Sequence, residues 1–193
     1  MSALNSYSAR QKICSGGGRN MLEIGTICAE AGEKIARVSA NMAMAADMEV
    51  RASSTATTGA YSSACQRGLP AILMERGGGG KFTDSEVQAY KRDVKNIMIR
   101  MGLLSGEEVH TVQQKNVTRA EYLEAETDGL WYPVFSAGDT FAGGAVLGTV
   151  RDIWGDLLRE YRADYPGIIL YQTVSLGVKA GDPLIAYGEY VDR

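Results

Sequence analysis

Residues Gly68–Gly80 read Gly-Leu-Pro-Ala-Ile-Leu-Met-Glu-Arg-Gly-Gly-Gly-Gly. Leu69–Met74 is a short apolar run between a Gly-Pro signal and a glycine cluster, the pattern of a strand buried on both faces in a parallel or mixed sheet. Glu75 stands at the end of that strand. A carboxylate at a strand end, with glycines behind it that let backbone or ligand come close, is a place where chemistry can occur. It is equally a place for a solvated glutamate opening a flexible turn, and these residues alone leave both readings open.

Upstream, Ala29–Ala46 carries Ile35, Val38, Met42 and Ala45 at spacings of three and four, which predicts a helix with one buried face. Met48–Ala52 reads as a short strand and Ser53–Thr58, a run of small hydroxyl residues, as loop. Gly59–Arg67 reads as a small helix with Ala60 and Ala64 on one side and Gly68 as terminator. Downstream, Thr83-Asp84-Ser85-Glu86 matches a capping box. Val87, Tyr90, Val94, Ile97 and Met101 then mark the expected inner face of a long helix ended by Gly102.

Glu107–Arg119 is polar and reads as a connector; from Ala120 onward short apolar segments punctuated by Gly-Asp predict an all-β unit. That unit repeats weakly. Gly129-Leu130 leads through Ser136-Ala137-Gly138-Asp139 to Leu147-Gly148, and Gly167-Ile168 leads through Lys179-Ala180-Gly181-Asp182 to Tyr187-Gly188. Two such half-units suit a small barrel or sandwich with approximate two-fold symmetry. Between them, Arg151–Asp164 carries a hairpin or irregular excursion with Trp154.

Composition narrows the function. The 193 residues include 20 basic and 23 acidic side chains for a formal charge of −3, with no basic run, so nucleic acid is not an expected partner. No apolar stretch approaches the ~20 residues that span a bilayer and no secretory pattern opens the chain, so no membrane association and a cytoplasmic location are expected. Cys14, Cys28 and Cys65 are odd in number and widely spaced, which suggests reduced thiols. His110 is the only histidine, so a zinc site with two histidines and a carboxylate cannot come from this chain alone. It sits beside Glu107 and Glu108 and is expected at the surface. Gly77–Lys81 is no phosphate-binding loop, because Glu75 and Phe82 occupy positions that would need glycine and serine or threonine. Phe82 also fills the third glycine of a dinucleotide fingerprint. A modified-lysine carrier is unlike this β unit, since no lysine lies between Lys115 and Lys179.

The small-residue helix, the stretch around Glu75, the long helix ending Met101-Gly102-Leu103-Leu104, and a β unit with Gly129-Leu130-Trp131-Tyr132-Pro133 and paired Gly-Asp turns together resemble the C-terminal portion of the succinylglutamate desuccinylase/aspartoacylase family. The resemblance runs from about Cys14 to the end. It implies an α/β fold. Residues 1–115 would form part of a zinc-carboxypeptidase-like mixed sheet with helices, and residues 116–193 a small all-β, barrel-sandwich-like domain. It also implies a hydrolase that uses zinc to cleave the amide of an N-acyl amino acid or similar small substrate. Glu75 falls at the position of the family's general acid/base, which takes a proton from the attacking water and later protonates the leaving amine.

The same resemblance exposes departures. The family's His-x-x-Glu motif is absent. In the segment resembling Asp-Ile-His-Ser-Gly-Gly, Lys12 replaces the aspartate and Cys14 the histidine that would be the third zinc ligand. A thiolate can bind zinc, so Cys14 is the one candidate metal ligand. Arg76, next to Glu75, points to the opposite face if both are extended and is not expected to pair with it. Three readings follow: the C-terminal part of a deacylase whose metal comes from a complementing N-terminal chain or missing sequence, a non-catalytic binding or assembly module acting as a homo-oligomer or with partners, or a truncated nonfunctional product.

Overall fold

A computed structural model describes residues 19–21, 24–28, 32–54 and 59–192. In chain order the elements are β1 (Arg19–Met21), β2 (Ile24–Cys28), α1 (Glu33–Ala45), β3 (Val50–Ser54), α2 (Ala60–Gln66), β4 (Ile72–Glu75) and α3 (Asp84–Arg100). There follow β5 (Lys115–Glu124), β6 (Gly129–Pro133), β7 (Thr140–Phe141), β8 (Val146–Arg151), β9 (Leu157–Arg162), β10 (Gly167–Thr173), β11 (Gly177–Val178) and β12 (Pro183–Asp192). The fold is mixed α/β. One sheet runs β1-β10-β12-β5-β3-β2-β4 with β7 beside β10, and a second runs β11-β6-β8-β9.

The main sheet is mixed because β2, β3 and β5 lie parallel while its other pairs are antiparallel. It passes without a break through residue 115: Lys115, the first residue of β5, pairs with Val50, and the Arg51 guanidinium donates to the Asn116 carbonyl at 3.1 and 3.2 Å. The connector expected over Glu107–Arg119 therefore ends at Gln114, and its last residues are the parallel partner of β3.

Several local signals act as their chemistry requires. The Thr83 hydroxyl accepts from the Glu86 amide while the Glu86 carboxylate accepts from the Thr83 amide, so α3 begins at a complete capping box. The Leu103 amide reaches back to the Met98 carbonyl at 2.8 Å, which closes the helix at Gly102. The two Gly-Asp turns share one geometry: Asp139 accepts from the Ser136 amide at 2.7 Å and Asp182 from the Lys179 amide at 2.8 Å. Gly138 and Gly181 take φ 91° and 85°, values open to glycine at little cost. The halves interlock. Ile169 of β10 exchanges hydrogen bonds with Gly138 and Asp139, while Trp131 of β6 donates to the Leu176 carbonyl.

Other expectations need correction. β4 covers Ile72–Glu75, not Leu69–Met74, and is a half-buried edge strand pairing with β2 alone among the described residues; Leu69 is exposed. β3 begins two residues later than expected and takes in Ser53 and Ser54. α2 buries Ser62 and Cys65 instead of Ala60 and Ala64. The largest departure is α3, whose buried residues are Ala89, Asp93 and Asn96, while Val87, Val94 and Met101 of the expected inner face are exposed and Tyr90 and Ile97 half-buried. The helix is held by polar contacts from its inner side, and Val87, Val94 and Met98 face outward.

Two cores result. One joins Trp131, Leu147, Val150 and Tyr161 of the small sheet to Ile169, Ile185 and Tyr187 of the main sheet. The other joins Val50, Ala52, Val117, Ile168, Leu170 and Ala186 within the main sheet. No helix of the described residues is long and apolar enough to cross a membrane.

Candidate active site

Glu75 lies at the last position of β4, opposite Ile24 of β2, and is partly buried. Behind it, Gly77, Gly79 and Gly80 take positive φ and an isolated bridge joins Gly78 to Lys81. The glycines thus make the tight reversal that brings the chain to the α3 capping box, a structural duty separate from any ligand. The Tyr90 hydroxyl donates to the Met74 carbonyl at 3.3 Å, which ties α3 to the backbone just before Glu75. The Tyr90 phenol is pushed above its ordinary value chiefly by burial, with Glu75 among the charges adding to the rise. Tyr122 is raised further, first by burial, then by Tyr171, Tyr61 and Glu75; its ring lies 6.3 Å from that of Tyr171.

Arg76 turns away into the protein. Its Nε and Nη2 donate to the two Asp93 carboxylate oxygens at 2.9 and 3.0 Å, and Nη2 also donates to the Asp47 carbonyl at 2.6 Å. The two side chains are 2% and 0% exposed, so the pair is dry. Asp93 also accepts from the Asp47 amide at 2.8 Å. The Asp47 carboxylate in turn accepts from the Thr111 amide and hydroxyl, the Val112 amide and Arg92, at 2.7, 2.6, 3.1 and 3.0 Å. Burial pushes the Asp47 carboxyl up, yet these donors outweigh it and hold it below the ordinary value. Asn96 completes the inner face of α3 by exchanging two hydrogen bonds with the backbone of Val109. This network binds α3, β4, the α1–β3 junction and the connector into one unit.

Among the described residues, no three histidine, cysteine, aspartate or glutamate side chains converge as a metal site. His110 is at the surface, 3.0 Å from Glu108, which also pairs with Arg100. Cys14 and Lys12 lie outside the described residues. Among the described residues no such ligand set stands beside Glu75, and those residues alone do not fit a zinc centre.

Sequence reasoning passed over Tyr90 as a backbone partner and missed Asp93 and Asp47. A signal was present: Asp93 and Asn96 stand three apart in the middle of a long helix, on one face of it. Their partners Asp47 and Val109 lie 46 and 13 residues away, and no local pattern points to them.

No family model matches the chain. An N-alpha-acetyl-L-2,4-diaminobutyric acid deacetylase of Halomonas elongata is 28% identical over 127 residues, which cover 63% of this chain and 37% of the deacetylase. The product-bound structure of the ectoine utilization protein EutE (DoeB) from Ruegeria pomeroyi superimposes with a TM-score of 0.78 at 20% identity, over 89% of this chain and 54% of that one. The succinylglutamate desuccinylase/aspartoacylase structure from Rhodobacter sphaeroides gives 0.75 at 19% identity, over 91% and 56%. The chain carries the fold of the C-terminal portion of the succinylglutamate desuccinylase/aspartoacylase family. It spans about half the length of these solved relatives.

Proposed function

We propose that this chain acts as the C-terminal part of a zinc-dependent deacylase that cleaves the amide bond of an N-acyl amino acid or similar small substrate. Glu75 would be its general acid/base, and the metal would come from a complementing N-terminal chain or segment. The observation that carries the reading is Glu75 itself: a partly buried carboxylate at a strand end, its flanking backbone held by α3, in a chain with a deacylase-family fold. In this role the Glu75 carboxylate takes a proton from the attacking water and returns one to the departing amine. The described residues do not assemble a metal site. Cys14 is the only residue of this chain assigned to the ligand set, by resemblance. The cytoplasm and a small-molecule substrate belong to the same proposal, as does a barrel-sandwich-like description of the β unit.

The test pairs metal analysis with turnover. Purified alone, the chain is expected to hold no stoichiometric zinc and to hydrolyse no N-acetyl amino acid. Co-expressed with the N-terminal half of a family deacetylase, it should gain turnover that Glu75→Gln abolishes. One tightly held zinc per chain, lost on Cys14→Ala, overturns the outside supply of metal; complemented turnover that survives Glu75→Gln overturns the acid/base role. A second reading, a binding or assembly module, is favoured by exposed apolar surface: Val87, Val94, Met98 and Met101 on α3, and Trp154, 84% exposed at the β8–β9 tip.

A further inference from the structure

We infer that Tyr90 and the Arg76–Asp93 pair are positioning groups for Glu75, so that one turn of α3 sets where the carboxylate points. The inference rests on the acid/base reading of Glu75 and adds residues to it. Among the described residues β4 is the last strand of its sheet, with β2 on one side of it. The Met74 carbonyl, just before Glu75, takes a hydrogen bond from the Tyr90 hydroxyl of α3 at 3.3 Å.

The second hold acts on the side chain of the next residue. Arg76 is bound through two nitrogens to Asp93, three residues beyond Tyr90 on α3, and to the Asp47 carbonyl. A bidentate guanidinium–carboxylate pair fixes direction as well as distance. The Arg76 guanidinium carbon also lies 5.8 Å from the centre of the Tyr90 ring, so the two holds touch each other. Because successive side chains on a strand point to opposite faces, drawing Arg76 into the interior turns Glu75 the other way. A dry ion pair is a weak source of net stability, whereas a fixed direction is something it supplies well. An acid/base group needs that fixed direction, because small misplacement of a catalytic group costs rate steeply.

The decisive variant is Tyr90→Phe in the full chain, which removes one hydroxyl and keeps the ring. Amide hydrogen exchange by NMR is expected to rise about tenfold or more at Arg76 while amides of β10 and β12 stay as they are. Side-chain couplings of Glu75 should move from one dominant rotamer toward averaging. Asp93→Asn should give the same Glu75 averaging by the second route, and Val94→Ser, on the exposed face of α3, should leave both readouts alone. In the complemented enzyme, Tyr90→Phe should lower kcat by about tenfold or more with KM unchanged. A lower melting temperature with unchanged Arg76 exchange and Glu75 couplings would make Tyr90 merely structural and overturn the inference. The NMR readouts need no turnover. Their failure therefore removes the clamp, whereas activity that survives Glu75→Gln removes the acid/base reading.

Discussion

Breaking the Arg76–Asp93 pair from one side should cost more than removing it whole. The side chains are 2% and 0% exposed, so Asp93→Leu removes the carboxylate that holds Arg76 through two nitrogens and leaves its guanidinium charge in a dry site. Losing one partner of such a pair costs about 3–5 kcal/mol. Arg76→Met leaves the Asp93 carboxylate with the Asp47 amide and falls in the same range. In the double variant neither charge remains, and the orphaned groups are the Asp47 amide and carbonyl, about 1–3 kcal/mol for each. The double should therefore cost no more than the worse single, giving a coupling of about 3–5 kcal/mol when the pair is removed together. Urea unfolding followed by far-UV circular dichroism measures all four proteins, provided the denaturant slope stays constant. Each single removes a large part of the roughly 5–15 kcal/mol expected of a domain, so low temperature is the safer condition. If the two costs add to within about 0.5 kcal/mol, the pair is not an energetic unit and the account of how α3 is anchored is wrong.

Acid should loosen the same region. Since the folded Asp47 carboxyl titrates below its ordinary 3.8, the unfolded chain binds more protons near that pH. The associated stability is present above about pH 4 and is lost as pH falls through the folded value. Asp47→Asn should flatten this acid slope in melting temperature; an unchanged slope would exclude Asp47 as its source. Gly148→Ala would place a methyl 2.3 Å from Cη2 of buried Trp131, and should cost about 1–3 kcal/mol in urea with a shifted tryptophan emission. Thr83→Ala should lose about 0.5–2 kcal/mol by opening the capping box, with loss of protection confined to the first turn of α3. The outward stripe of α3 should drive self-association, which sedimentation velocity would register and Val94→Lys with Met98→Glu should weaken.

How much of this was legible depended on how local the cause was. The capping box at Thr83 and Glu86, the stop at Gly102 and the twin turns at Asp139 and Asp182 each satisfy backbone groups within a few residues, and each was readable. The inner face of α3 was not. Apolar periodicity nominated Val87, Val94 and Met101, but the partners waiting for the helix were Arg76, the Asp47 backbone and the Val109 backbone, all polar. A helix buries whichever face its neighbours can satisfy, so Asp93 and Asn96 went inward and the valines outward. The edge position of β4 was hidden for a related reason: a continuous apolar run signals burial without saying which strands supply it. Glu75 was legible as a candidate because its resemblance to a family lay in contiguous residues. Its hold on α3 lay in pairings that cross 16 and 17 residues and was not.

The position of Glu75 also depends on residues far beyond α3. β10 is buried along its whole length, which an edge or one-sided strand would not show, and the reason is that its alternate residues serve two cores. Ile169 packs with Trp131 and Tyr187 on one side, and Ile168 and Leu170 with Val50 and Val117 on the other. β12 divides in the same manner, Ile185 and Tyr187 to the first core and Ala186 to the second. The antiparallel ribbon of β5 and β12 therefore couples the small sheet to the strands that carry the candidate site. Val50 and Ala52 of β3 lose their core neighbours Val117, Ile168 and Ala186 if that ribbon is disturbed. β3 in turn supports β2, and β2 is the only strand beside β4 among the described residues. Packing defects placed around Trp131 should thus reach Glu75 through the sheet, and the β unit is a structural support of the candidate site as well as its neighbour in sequence.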